Sequence, residues 1–487
     1  MPDRIFASMF VRVGSCTWYA LALLLLLALI FPGRAVVAQG TTPSADTVRV
    51  ALNGVITRAL AVSPDLGAER ANRDFAAARS RLARSSRFVP EFNATSAHAF
   101  GPGLKRPNPE TPDDALYLDP DVRNDWSTLH PFTQLEVELI QPIYTWGELG
   151  GSIEAARHGV EVEEAAVQGK ELAVALRAAE LYYNVLLTNE LLRLANRTRS
   201  VVDQAKREID RLLQEGAQDV DDADLFQVEI TEQEFNRRVV EVEQNTVTAR
   251  VALARQLILP DGTVVVPEQD VLQPLPFVLE SLDRYFEQAM AHRPELAQGR
   301  AGLAAREALV KVARSDYYPK LFFGFSTGFT YTPGRIRQPN PFISDSFLGS
   351  SARTGVGLRQ KLNFVQTRAR VDQARAEREE VRYQLEGAQQ LVLFEVEKAY
   401  RDLIIAQAAL EAQDSSLTTS KEWLRLEYIN FDLDLGDTEN LVKAVRANLE
   451  LEARYYEAVH GYNLAVLRLL DAVGVLGEQA QSGTLVE

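Results

Sequence analysis

The stretch "SPDLGAERANRDFAAARSRLARS" (63–85) and the stretch "RPELAQGRAGLAAREALVKVARS" (293–315) align without a gap, proline on proline and closing Ala-Arg-Ser on Ala-Arg-Ser. Pro64 and Pro294 lie 230 positions apart (294 − 64), so the 487-residue chain reads as two copies of one unit. Each copy continues into a proline flanked by aromatics, "RFVPEF" around Pro90 and "YYPKLF" around Pro319. There the apolar period changes from that of a helix to that of a strand.

In the first copy Phe92, Ala94, Ser96, His98 and Phe100 fall on one face. In the second, Phe323, Phe325, Thr327, Phe329 and Tyr331 share a face, with Gly324, Ser326 and Gly328 opposite. Such alternation marks a strand with two unlike sides. Stretches rich in Pro, Gly and Asp follow, "GPGLKRPNPETPDD" and "TPGRIRQPNPF", and predict surface loops over Gly101–Pro131 and Thr332–Ser351. A second alternating run closes each unit, with Leu135, Val137 and Leu139 in one copy and Val356, Leu358 and Leu362 in the other. "IQPIYTWG" (140–147) and "RQKLNFVQ" (359–366) end these runs. Strands are therefore expected at about 91–100, 132–143, 321–331 and 354–363.

Each unit ends in a long helical hairpin. Nothing breaks the helix from Leu149 to Leu213, and about 65 residues at 1.5 Å each would span roughly 100 Å. In the second copy Val381, Leu385, Ala388, Val392, Val396, Ala399, Leu403, Ala406 and Leu410 form a stripe at spacings of three and four. Gly216 and Gly436 mark the two bends, which gives hairpins over 148–257 (tip 216–224) and 366–473 (tip 436–440). Tyr182 and Tyr400 hold matching places and are read as packing landmarks. The whole is a mainly α fold with a small β part. It comprises a first repeat (39–258), a linker (259–280), a second repeat (281–473) and a tail, 474–487, expected to be disordered.

The N-terminus predicts export. Arg4 and Arg12 precede an apolar run from Trp18 to Phe31, and Val36-Val37-Ala38 supplies small residues before a cut, so 1–38 reads as a signal peptide. The single cysteine, Cys16, lies in that leader, which leaves the mature chain without a thiol and without a disulfide framework. The net charge of −15 argues against nucleic acid as a partner. No later apolar run reaches the ~18 residues of a membrane helix, so any entry into a membrane must be through strands. Four strands cannot close a barrel, and a bilayer tolerates no open sheet edge. Copies must therefore pool their strands, two giving eight and three giving twelve.

In its signal peptide, duplication and order of helix, proline, strand, loop, strand and long hairpin, the chain resembles the TolC-type outer-membrane efflux proteins. The resemblance rests on "VPEF" and "YPKL", on "QPIYTWG" and on the glycine-started bends, and it covers nearly the whole mature chain. It implies a homotrimer with a twelve-stranded β-barrel in outer-membrane lipid and an α-helical tunnel in the periplasm. It also implies a passive duct without cofactor or catalysis, fed by an inner-membrane RND or ABC-type pump through a periplasmic adaptor. A duct for type I protein secretion is the alternative within transport; a periplasmic coiled-coil scaffold or adaptor is the alternative outside it. The second copy departs from the pattern: Val365 and Gln366 stand where the first has Trp-Gly, and no arginine follows Gly436.

The candidate site is the acidic bend "EGAQDVDDADLF" (215–226). As an EF-hand from Asp219 it fails, with Ala223 at the fifth position and Asp224 where glycine is required. One of Asp221 and Asp222 is expected to cap the return helix. Asp219, Asp221, Asp222 and Asp224, with Asp432, Asp434, Asp437 and Glu439 at the second bend, are expected to line and gate the periplasmic aperture, and Gly216 and Gly436 to mark adaptor docking. Phe323, Phe325, Phe329 and Tyr331 are expected to form a barrel strand face. Glu457 and His460 have the Glu-x-x-His spacing of a bundle metal site but lack a second copy. "GELGG" (147–151) lacks the lysine of a phosphate loop.

Overall fold

The computed structural model describes residues 47–87, 91–105, 110, 123–215, 222–335, 345–433, 438–477 and 479. The predicted leader, the bends at 216–221 and 434–437 and about half of the two loops lie outside them. In chain order the elements are β1 (Thr47–Val50), α1 (Leu52–Val62), α2 (Pro64–Ser85), β2 (Glu91–Lys105), β3 (Arg123–Tyr144), α3 (Glu148–Glu215) and α4 (Asp222–Gln256). They continue with β4 (Val264–Pro267), α5 (Leu282–His292), α6 (Pro294–Ser315), β5 (Lys320–Tyr331), β6 (Gly349–Arg359), α7 (Phe364–Asp432) and α8 (Thr438–Val473).

The duplication is visible element by element. Both copies place two short helices head to tail, broken where Pro64 and Pro294 occupy the first turn of the second helix. In the first copy Ser63 caps α2, its Oγ accepting from Leu66 N at 3.3 Å. In the second, Arg293 stands in that place, and its guanidinium reaches Glu395 on α7 at 2.6 Å instead. One position thus changes from a local cap to a tie between helices.

The two long hairpins, α3 with α4 and α7 with α8, pack through α6 and α8 onto α3. The core lies where they pass the short helices. Tyr182, Tyr183 and Leu186 of α3, Ile56 of α1, Leu253 of α4, Tyr285 of α5, Leu403 of α7 and Leu467 of α8 are buried there together. Tyr400 packs against the same cluster, 6.0 Å from Tyr285 between ring centres. The connection after α4 crosses this core on two polar staples. Glu190, 4% exposed, accepts Leu272 N at 2.9 Å. Asn463, fully buried, accepts Leu275 N and donates to Gln273 O, both at 2.8 Å.

Four boundaries differ from expectation. β2 and β3 run on to Lys105 and back to Arg123, because Gly-Pro-Gly (101–103) is absorbed by a register shift between Pro102 and Gly103 rather than starting a loop. β6 begins at Gly349 and ends at Arg359, so Leu362 lies in the connection to α7, not in a strand. The linker contains β4, which pairs in parallel with β1. The tail remains ordered past α8: Gly474 turns with φ 86°, and Leu476 is fully buried in the core. The Gly474 and Val475 N–H groups close back on Leu470 O at 3.1 and 3.0 Å, a glycine-ended helix terminus.

Candidate functional site

The four longer strands form one antiparallel sheet in the order β2-β3-β5-β6. The register puts Ala94, Val137, Thr327 and Ala352 in one row, and Asn93, Glu138, Ser326 and Arg353 in the next. Because side chains alternate, adjacent rows belong to opposite faces. One face therefore carries Phe92, Leu135, Leu139, Phe323, Phe325, Phe329, Tyr331, Val356 and Leu358. The other carries Asn93, Thr95, Gln134, Glu136, Glu138, Ser326 and Arg353, with Gly324, Gly328 and Gly355 between them.

The apolar face is uncovered. Val356 and Leu358 are each 65% exposed and Phe329 is 50% exposed, a contiguous patch of the kind that marks contact with a membrane or a partner. A polar group that does sit on this face is satisfied locally, since His98 bonds to Ser96 Oγ and Thr133 Oγ1, each at 3.1 Å. Among the described residues, β2 and β6 each have a neighbour on one side only, which leaves two open edges.

Aromatic groups mark both ends of the apolar face. At one end Phe329 and Tyr331 stack with centres 6.3 Å apart. At the other, a register shift after Pro142 brings Tyr144 opposite Leu321, onto the apolar side. Trp146 then packs against Tyr144 at 5.0 Å and stacks on Tyr318 at 4.8 Å. Its Nε1 donates to Pro319 O at 2.8 Å, so the "YTWG" and "YYPK" stretches, far apart in sequence, meet at one corner. The corner turns through two left-handed residues, Trp146 at φ 52° and Gly147 at φ 92°. The second copy needs no such turn, for Asn363 O accepts Thr367 N at 3.1 Å and α7 starts directly.

Beneath this corner Asp316 ties sheet to helices. Its carboxylate meets Lys320 at 2.9 Å, Lys361 at 3.1 Å and Arg370 at 3.3 Å, while Lys320 also reaches Glu148 at 2.6 Å. Burial acts to raise the Asp316 pKa, but the hydrogen bonds and charges of Lys320 and Lys361 outweigh it and hold the carboxyl below its ordinary value.

A cleft of about 1040 Å³ opens beside the core, lined by residues that include Lys170, Arg177, Arg293, Glu395 and Asp471. Burial pushes the Asp471 carboxyl up to about 6, against the opposing pull of Arg293. Its charges largely neutralise one another: Lys170 pairs with Asp65, Arg468 with Glu180, and Arg293 with Glu295 and Glu395.

The predicted site residues fall into three groups. Phe323, Phe325, Phe329 and Tyr331 lie together on the apolar face. Gly216, Asp219, Asp221, Asp434, Gly436 and Asp437 lie outside the described residues. Asp222 and Asp224 open α4, Asp432 ends α7 and Glu439 opens α8, with only their backbones described. Glu457 and His460 do not converge. Glu457 is exposed, whereas His460 bonds to Asn184 Oδ1 at 2.8 Å, and burial lowers its pKa. Among the described residues no group of three His, Cys, Asp or Glu side chains is placed to hold a metal, and no helix is long and apolar enough to cross a membrane.

The family described as outer membrane efflux protein matches residues 55–257 and 285–455. Protein CyaE of Bordetella pertussis is 26% identical over 238 residues, and the chain spans about half the length of that curated relative, 48%. Solved structures share the fold at low identity. The outer-membrane channel OprN superposes with a TM-score of 0.69 at 18% identity, over 87% of this chain and 89% of that one. The Campylobacter jejuni CmeC outer membrane channel gives 0.68 at 16%, over 87% and 85%. The open state of the Neisseria gonorrhoeae MtrE outer membrane channel gives 0.66 at 18%, over 87% and 89%.

Proposed function

The chain belongs to the outer membrane efflux protein family, and we propose that three copies of it build one passive conduit out of the cell. The observation that carries this reading is the sheet with one apolar face, one polar face and two open edges. Lipid cannot satisfy the free N–H and C=O groups of such edges, so β2 of one copy pairs with β6 of the next until the sheet closes. Three copies give twelve strands. The apolar face, with Phe323, Phe325, Phe329 and Tyr331, turns to lipid, and the polar face with Glu136, Glu138 and Arg353 turns to a water-filled lumen.

Dimensions support the arrangement. From Leu321 to Tyr331 the apolar face runs ten residue steps, about 34 Å along the strand. At a tilt near 40° it spans about 26 Å, close to the apolar band of an outer-membrane barrel. Both long hairpins leave the same end of the sheet, and α3 and α7, with 68 and 69 residues, each extend about 100 Å from it. Exposed Tyr383, Leu391, Phe394 and Ile405 along α7, and Val240, Val247 and Val251 along α4, supply apolar surface for neighbouring copies.

The bends at Gly216 and Gly436 then stand at the far end of a periplasmic tunnel. There Asp219, Asp221, Asp222, Asp224, Asp437 and Glu439, repeated three times, form an acidic aperture to which a periplasmic adaptor and an inner-membrane pump deliver substrate. Residues 1–38 direct export and are removed. The test is single-channel recording of the full chain in planar bilayers. Discrete conductance blocked by divalent cations, with block weakened when Asp219, Asp221 and Asp222 become Asn, supports the aperture. Unchanged block assigns the acidic bend to helix capping, and absence of conductance refutes the conduit. Loss of drug tolerance on deletion of the gene marks efflux, whereas loss of a secreted protein marks an export duct.

A further inference from the structure

The connection between β5 and β6 is held down at both of its described stems, and it is held on one face of the sheet. Thr332, following Tyr331, falls by alternation on the polar face, as do Gly101 of β2 and Phe132 of β3. All three converge on Phe347. Thr332 Oγ1 donates to Phe347 O at 2.8 Å, the Phe132 and Phe347 ring centres are 5.6 Å apart, and a Cβ built on Gly101 would lie 3.2 Å from Phe347 Cδ1. A side chain at 101 would press on the ring by a few tenths of an ångström, and glycine leaves the ring that room on the polar face. Trp126 closes the cluster edge-on at 6.1 Å.

Arg335 fastens this packing. Its side chain is 4% exposed, and its donors reach three separate segments. Nε meets Asp345 Oδ2 at 2.7 Å, one terminal nitrogen donates to Pro102 O and Gly103 O at 2.9 and 3.0 Å, and the other donates to Asn124 Oδ1 at 2.7 Å. The guanidinium also lies 5.3 Å over the Phe347 ring, and Asp345 Oδ1 accepts Phe347 N at 3.0 Å. A buried cation is retained only when its donors are matched, and a planar fork can match several acceptors where a single ammonium cannot.

We infer that Arg335 is a clasp that straps the stems of the β5–β6 connection across the polar face at the outer end of the sheet, and that this strap narrows the outer mouth of the conduit. The inference rests on the proposed conduit, because it needs the polar face to be the lumen. Threefold repetition sets three such straps around one opening. The outer aperture is then a fixed structural dimension, widened when the Arg335–Asp345 pair is broken.

The test reads access from outside. Glu138 lies on the polar face six residues inward of Phe132, about 20 Å along the strand. A cysteine introduced there (Glu138→Cys) has no thiol to compete with it, since Cys16 lies in the predicted leader. Intact cells carrying the full chain are treated with a small maleimide and with a bulky polyethylene-glycol maleimide, with Arg335 intact and with Arg335→Lys or Arg335→Ala. The expected result is fast labelling by the small reagent throughout, and labelling by the bulky reagent accelerated about tenfold or more in both variants, as for a broken buried pair. Should Arg335→Ala fail to reach the outer membrane, Thr332→Val, which removes only the bond to Phe347 O, must give a smaller acceleration in the same direction. Equal bulky-reagent rates with the clasp intact and broken would overturn the clasp while leaving the conduit standing. Failure of even the small reagent to label the introduced thiol would instead contradict an outward-open lumen, and the clasp with it.

Discussion

Val137→Arg and Glu138→Arg place the same charge on neighbouring residues of β3 but on opposite faces of the sheet. Val137 pairs with Thr327, six residues from Leu321 and four from Tyr331, so it sits near the middle of the apolar band. An arginine facing lipid at that depth costs about 2–4 kcal/mol in a membrane barrel, and three copies raise this to about 6–12 kcal/mol per assembly. Glu138 shares its row with Asn93, Ser326 and Arg353, where a charged side chain meets water, and the same substitution there should stay within about 0.5 kcal/mol per copy. The assay is folding of the full chain into lipid vesicles across a urea series, followed by the heat-sensitive mobility of the folded form on gels. Val137→Arg should shift the midpoint strongly or prevent insertion, and Glu138→Arg should leave it near that of the parent. Equal sensitivity at the two positions, or greater sensitivity at Glu138, refutes the assignment of faces.

Three further outcomes follow from the helical part. The raised folded-state pKa of Asp471, about 6 against an ordinary 3.8, means that the folded chain binds the extra proton between those values. Stability therefore falls as pH rises through about 4 to 6 and stays lower above. Asp471→Asn should gain about 2–3 kcal/mol at pH 8 and nothing at pH 4 in denaturant titrations, and a pH-independent effect would contradict this. Asn463→Ala strands the Leu275 N–H and the Gln273 carbonyl in the core, so it should lose about 2–4 kcal/mol by the same titration. Gly147→Val forces a β-branched residue to φ 92°, which should cost about 1–3 kcal/mol and loosen the Trp146 stack, seen as a red shift and quenching of tryptophan emission.

What the sequence reveals and what it hides divides along physical lines. The duplication, the two-faced strands and the long helices are local or periodic, and Phe323, Phe325, Phe329 and Tyr331 could be assigned to one face by counting alone. The pairing of β1 with β4 was not legible, because two four-residue strands more than two hundred positions apart carry no period. Gly-Pro-Gly at 101–103 suggested a loop since proline weakens a strand, yet a bulge at a sheet edge accommodates it. The Gly474 turn resembles the start of a tail, and only the burial of Leu476 reveals that the chain is still packed. Nothing in the sequence around Glu190 and Asn463 sets them apart from other polar positions on long helices; their role depends on backbone groups of a distant connection. Arg335 sat within "TPGRIRQPNPF", a composition typical of solvent-exposed loops, and its partners at 102, 103, 124 and 345 could not be inferred from spacing.

Closure of the sheet between copies is most directly tested by disulfide scanning between its two free edges. Ala94 on β2 is changed to Cys together with each of Ser350, Ala352, Thr354, Val356 and Leu358 on β6, all on the apolar face, in outer membranes under mild oxidation. Bonding requires Cα atoms within about 4.4–6.8 Å, so only pairs in register should react. A closed ring of three predicts that one such pairing converts the protomer stepwise into dimer and then trimer, with no larger product. A ladder that stops at two copies, one that continues past three, or the absence of any cross-link at every pairing would contradict a twelve-stranded conduit.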